Sequence, residues 1–228
     1  MFARTKPHPT APAYWQAYQA GTSPKLPLRT PIDTIRFVVV DTETDGFEHN
    51  QLVSIGYVPV QNNLVLTSQS KEFVVQSQQP LATEGIAVHG IMPAQCQVGV
   101  PVHEALQHCL HDFTGAVVVG HRIAYDIQVL NNALKGMVPG KLVNPVIDTY
   151  DLAVRVAGSP VATAQNEGKK YGLDSLCQQY HIPCVDRHTA AGDAFITAQL
   201  LLKLLAKLRH RGVTTYGQLA KRRFTLWG

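Results

Sequence analysis

The run Ile35-Arg36-Phe37-Val38-Val39-Val40, followed at once by Asp41-Thr42-Glu43, constrains this chain more than any other segment. Its β-branched residues carry no polar alternation, which is the pattern of a strand covered on both faces. Leu52 to Val60 reads as a second strand and Leu64 to Thr67 as a third, joined by the turn Gln61-Asn62-Asn63 as a hairpin. Lys71 to Gln76 is a further strand candidate beside them. The pattern then changes to alternation: helix from Pro101 to Phe113, strand from Ala116 to Gly120, helix from about Tyr125 to Leu134, strand from Val143 to Ile147. Asp148 is placed to cap a following helix, and Leu173–Tyr180 and Ala190–His210 complete the helices. Antiparallel strands first and β–α alternation later predict an α/β fold with a mixed five-stranded sheet flanked by helices.

The 228 residues fit one domain with short extensions. Residues 1–33 hold six prolines and a short aromatic helix candidate around Tyr14, Trp15 and Tyr18, and read as an extension that packs on the domain. Residues 34–210 form the domain, and 211–228 a basic tail that includes Arg211, Lys221, Arg222 and Arg223. Twenty Lys and Arg against sixteen Asp and Glu leave a net charge of +4, which permits a polyanionic partner without demonstrating one. No apolar run approaches the ~20 residues of a membrane span, and the N-terminus shows no secretory h-region. Cys96, Cys109, Cys177 and Cys184 lack CxxC spacing and read as reduced thiols. The expected location is the cytoplasm, with no membrane partner.

Several local motifs fail. Asp41 to Gly46 has a calcium-loop look, but Leu52 stands where the last carboxylate ligand belongs. The same segment resembles the phosphoryl-transfer loop of haloacid-dehalogenase-type phosphatases, from which Glu43 departs. Gly136 to Lys141 has the wrong glycine spacing for a phosphate loop, and His103-Glu104 with His108 puts the second histidine off the face a zinc site needs.

The acids behave differently. Asp41 and Glu43 sit at i and i+2 on a strand and point to one face. Two carboxylates crowded there repel and are costly to desolvate unless a cation lies between them. Asp126 follows the strand ending at Gly120, and Asp193 opens the long helix in His188-Thr189-Ala190-Ala191-Gly192-Asp193. Alone, each could simply be an acid on a helix dipole. Strand-borne Asp-x-Glu, a later Asp, then His-x4-Asp, in that order, resembles the DEDDh family of 3′–5′ exonucleases. Within it the chain is most similar to the epsilon-type proofreading subunits of bacterial DNA polymerase III. The match runs from about Phe37 to Leu205 and includes Gly85-Ile86-Ala87-Val88-His89-Gly90-Ile91, Ile147-Asp148-Thr149 and Leu173-Asp174-Ser175-Leu176-Cys177.

This resemblance implies a ribonuclease H-like fold and phosphodiester hydrolysis with two divalent ions, Mg²⁺ or Mn²⁺, which hard carboxylate oxygens suit. It implies Asp41, Glu43, Asp126 and Asp193 as metal ligands and His188 as general base. Thr42, Thr44, His89 and Tyr125 are implied at the substrate. Asp45 and Arg122 depart from the threonine and asparagine common at those places, which bears on substrate preference. The expected partner is the 3′ end of nucleic acid, single-stranded DNA before RNA, with a DNA polymerase or a replication or repair complex as a further partner. An exoribonuclease of the same family, or a non-catalytic nucleic-acid-binding or polymerase-assembly module, are the alternatives. Massed negative charge facing phosphates argues against the last. The polymerase-docking segment of the epsilon-type subunits has no visible counterpart, which favours a stand-alone enzyme.

Overall fold

The computed structural model describes residues 11–46, 51–77, 82–158 and 169–221. Arg222 and Arg223 therefore lie outside the described residues. Strand β1 (Phe37–Thr44) is central, paired antiparallel with β2 (Leu52–Gln61) and parallel with β5 (Val117–Gly120), which in turn pairs parallel with β6 (Val146–Asp148). The outer edge of β2 carries both β3 (Leu64–Val65) and β4 (Lys71–Val74). The mixed sheet thus has six strands rather than five. The reason is the length of β2: β3 pairs with Val60 and Gln61, leaving Ser54 to Tyr57 free for β4.

Residues of β1 alternate between two cores, as a period of two requires. Phe37 and Val39 face a cluster that holds Val58, Val117, Ile196, Leu200 and Leu204, the last three from helix α8 (Ala190–Arg209). Helices α6 (Thr149–Ala157) and α7 (Leu173–Tyr180) close that side. Val38 and Val40 face Trp15 and Tyr18 of α1 (Ala13–Gly21), Leu106 and Phe113 of α4 (Val102–Phe113), and Leu130 of α5 (Ala124–Ala133). Burying both faces explains the unbroken apolar run read in the sequence.

Two short helices, α2 (Thr83–His89) and α3 (Pro93–Gln97), were not expected. Their apolar periodicity spans too few turns to register, and α2 ends on Gly90 in the left-handed region at φ 70°. Strand β6 begins later than the sequence suggests. The Val143 N–H donates to the Tyr18 hydroxyl rather than to a ladder, and the Asn144 side-chain amide donates to the carbonyls of Phe113 and Ala116. Tyr18 thereby ties α1 to the domain.

The segment read as a basic tail starts inside the packed structure. Val213 and Leu219 are buried in the α8-side core, and the short helix α9 (Tyr216–Leu219) follows the cap Thr215. Backbone bonds Ile32 N–H to Thr214 O and Tyr216 N–H to Thr30 O join it to the N-terminal segment. Among the described residues no helix is long and apolar enough to cross a membrane, and all four cysteines are free.

Candidate active site

The site forms where β1 leaves the sheet. Asp41 and Glu43 project on the face that Phe37 and Val39 share, towards the first turn of α8, where Asp193 is buried. One ligand oxygen from each of Asp41, Glu43 and Asp193 lies within 4.8 Å of the others. A glycine makes the approach possible. Gly56 pairs with Asp41 across the β1–β2 ladder, and a Cβ there would stand 2.1 Å from the backbone carbon of Ala190. The helix start is set by Thr189, whose hydroxyl accepts from Gly192 N–H, and by Glu72 Oε1, which accepts from Ala191 N–H at 3.3 Å.

Asp126 reaches the cluster from the other side of β1. Its Oδ1 accepts from the Thr42 N–H at 2.9 Å and from the Thr42 hydroxyl at 2.7 Å. Thr42, expected at the substrate, is buried, and both its N–H and its hydroxyl are committed to Asp126. Its side chain points away from the Asp41 face because it is the odd residue between them. Thr44 shares that second face, and its hydroxyl and the Tyr125 hydroxyl form a 2.8 Å hydrogen bond. His89 is also buried: its Nδ1 accepts from Ile91 N–H at 3.0 Å, and desolvation lowers its pKa. It braces the Gly90 turn rather than presenting an open ring.

His188 stands in an exposed loop directly before α8. Its backbone φ is 63°, and its N–H donates to Asp193 Oδ2 at 3.3 Å. The ring forms no hydrogen bond or ion pair with the described residues and lies outside the group of three converging carboxylates. The structure thus brings Asp41, Glu43 and Asp193 together, holds Asp126 on Thr42 near enough for its charge to act on Asp41, and joins His188 to Asp193 through its backbone N–H alone.

Crowding shows in the proton affinities. Burial, then the charges of Asp126, Asp193 and Glu43, holds the Asp41 carboxyl well above its ordinary range. Burial and the neighbouring Asp193 and Asp126 push Glu43 up to about 8. Asp126 rises to about 7 by burial, against the hydrogen bonds from Thr42 that pull it down. Asp193 Oδ1 is buried with no hydrogen-bond partner. A set of oxygen donors that repel one another and include an unpaired buried oxygen fits a divalent cation.

Two contributors escaped the sequence reading. Gly56 did leave a signal, since a glycine inside an apolar strand marks a close backbone approach. Arg187, which pairs with Asp193, left none, whereas the cap expected at Asp148 is present, its Oδ1 accepting from the Arg122 and Tyr150 N–H groups. The two departures noted above have structural explanations. Asp45 is only 2% exposed and its carboxylate accepts from Gln51 N–H, closing the turn after β1. Arg122 takes a left-handed φ of 59° and stacks over the Tyr150 ring at 5.1 Å.

Comparison with known proteins shows the family of the chain. A family model described as Exonuclease (RNase_T) matches residues 38–201. The DNA polymerase III subunit epsilon-like protein of Rhodobacter capsulatus is 35% identical over 195 residues, which is 82% of this chain and 26% of that protein. The DNA polymerase III PolC-type of Halalkalibacterium halodurans is 29% identical over 192 residues, 83% of this chain and 13% of that protein. The chain therefore spans about a quarter or less of these two relatives. Among solved structures, Exonuclease X in complex with 5′ overhanging duplex DNA superposes with a TM-score of 0.60 at 20% identity, over 80% of this chain and 97% of that one. The expected ribonuclease H-like architecture is the fold observed.

Proposed function

The chain belongs to the exonuclease family whose model spans residues 38–201, and on that premise we propose that it is a 3′–5′ exonuclease that releases nucleoside 5′-monophosphates, acting on single-stranded DNA before RNA. The observation that carries this reading is the convergence of oxygens from Asp41, Glu43 and Asp193 within 4.8 Å, with Asp126 hydrogen-bonded to the residue between the first two.

In this proposal Asp41, Glu43 and Asp193 hold one divalent ion, Mg²⁺ or Mn²⁺, and Asp41 with Asp126 holds a second. Such ions, when bound, supply Lewis-acid stabilisation of the phosphate and a more acidic water. The remaining work falls to the chain itself. His188 takes the proton of the attacking water, the general-base task that an imidazole most often performs. Thr42 fixes Asp126 through two bonds. Thr44 and Tyr125, hydrogen-bonded to each other on the adjoining face, line the approach for the terminal nucleotide, and His89 supports the turn beside them. The exonuclease unit is taken as residues 34–210, with a replication or repair polymerase as a candidate partner.

The test is a product assay with 5′-labelled single-stranded DNA and matched RNA, with Mg²⁺ and with Mn²⁺. A ladder shortening from the 3′ end, absent with Asp41→Ala, is the expected result. A folded, metal-replete protein that degrades neither strand would overturn the proposal.

A further inference from the structure

Among the described residues, Arg187 brings a cationic side chain to the acid cluster. Its Nη1 donates to Asp193 Oδ2 and its Nε donates to Asp174 Oδ1 at 2.6 Å, so one guanidinium joins the first turns of α8 and α7. Asp193 Oδ2 also accepts from the His188 N–H. The other oxygen, Oδ1, is buried and unpaired. The two oxygens of Asp193 are therefore divided: Oδ2 is engaged by two protein donors and Oδ1 by none, in a carboxylate that brings an oxygen within 4.8 Å of oxygens of Asp41 and Glu43.

The loop that carries Arg187 is itself unusual. Asp186 and His188, its two neighbours, adopt φ values of 55° and 63°, in a region that side chains rarely occupy. Such a conformation persists only where surrounding bonds hold it. Here they are the Arg187 bridge and the Thr189 hydroxyl, which donates to the Asp186 carbonyl at 2.8 Å. The fork that orients Asp193 thus also sets the loop from which His188 projects. By Coulomb's law alone, a fixed positive charge beside a cation site weakens cation binding. Its place there is understandable if orientation outweighs that repulsion, and a planar fork bridging two carboxylates orients better than a point charge.

We propose that Arg187 is a positioning residue that holds Asp193 with Oδ1 turned to the metal and fixes the His188 loop over the same site. This rests on the reading of the acid cluster as a metal site.

The experiment is Mn²⁺ titration of the full chain by calorimetry, for wild type, Arg187→Gln, Arg187→Lys, Asp174→Asn and, as a control on the site, Asp41→Asn. Arg187→Gln is expected to bind Mn²⁺ about 10–100-fold more weakly, the range for partners that orient metal ligands, although a positive charge has been removed. Arg187→Lys stays weakened, because an ammonium cannot span both carboxylates. Asp174→Asn, which cuts only the outer arm, weakens binding less and in the same direction. In turnover assays at saturating Mn²⁺, Arg187→Gln lowers kcat with little change in KM for the oligonucleotide. Unchanged or tighter Mn²⁺ binding by Arg187→Gln, or full recovery in Arg187→Lys, overturns the proposal. Should Arg187→Gln fail to fold, unchanged affinity in Asp174→Asn overturns it instead. Wild type that takes up no Mn²⁺, or Asp41→Asn that binds as well as wild type, would instead overturn the metal-site reading beneath it.

Discussion

Gly56 lies directly opposite Asp41 in the central ladder, and the backbone of Ala190 occupies the space its side chain would fill. The missing Cβ lets α8 descend onto the sheet at the one point where its first-turn Asp193 meets Asp41 and Glu43.

Gly56→Ala tests that packing. With 2.1 Å between the added Cβ and backbone atoms, the helix start must move, because no flexible side chain can yield. A loss of about 1–3 kcal/mol is expected from overpacking. Divalent-ion binding should fall as well, since the displaced Asp193 no longer converges with its partners. Urea denaturation together with Mn²⁺ titration checks both. Wild-type affinity in the variant would show that the helix position does not set the site.

Thr42→Val keeps the strand shape and removes one of the two bonds to Asp126. Those bonds favour the carboxylate, so losing the hydroxyl raises the proton affinity of Asp126 further above its value of about 7. The acid side of the pH–rate profile should move to higher pH, with kcat at pH 7 down about tenfold. A superimposable profile would remove Thr42 from the positioning of Asp126.

Metal binding should depend on pH with a definite sign. In the metal-free protein, Glu43 and Asp126 keep protons up to about 8 and about 7, whereas their ordinary values are 4.5 and 3.8. Between those limits the folded chain binds more protons than the unfolded chain, so this contribution to stability falls as pH rises. Divalent ions need the ionised carboxylates and displace those protons. The rise in Tm on adding Mg²⁺ is therefore larger at pH 8 than at pH 6. Equal shifts at both pH values, read by differential scanning fluorimetry, would contradict this.

Asp112 supplies a control far from the chemistry. Burial alone would raise its pKa, but hydrogen bonds from Lys71, His111 and Tyr57 outweigh it and lower the carboxyl from 3.8 to about 2. The contacts span 2.9 Å to Lys71 Nζ and 2.7 Å to the Tyr57 hydroxyl, tying α4 to β4 and β2. The stabilisation is complete above about pH 4 and is lost as pH falls towards 2. Discounted for partial exposure, Asp112→Asn should cost about 1–2 kcal/mol at pH 7. The gap between variant and wild type in urea denaturation should narrow below pH 4, while metal binding at neutral pH stays as in wild type.

The order and type of the elements were legible in the residues wherever periodicity ran long enough. The apolar strand from Phe37, the helix from Ala190 to Arg209 and the cap at Asp148 are local consequences of side-chain spacing. Candidate acids were legible too, because Asp41 and Glu43 share a strand face and Asp193 opens a helix. What no local pattern encodes is how those elements meet. That the Ala190 backbone docks against Gly56 and that Thr42 spends both donors on Asp126 follow from contacts between residues far apart in the chain, and that Arg187 joins two helix starts follows from the fold of the loop between them. Spacing along a strand or helix is fixed by backbone geometry and so can be read one segment at a time. Convergence of charges across a sheet depends on how closely separate elements pack, and that distance exists only in the folded chain.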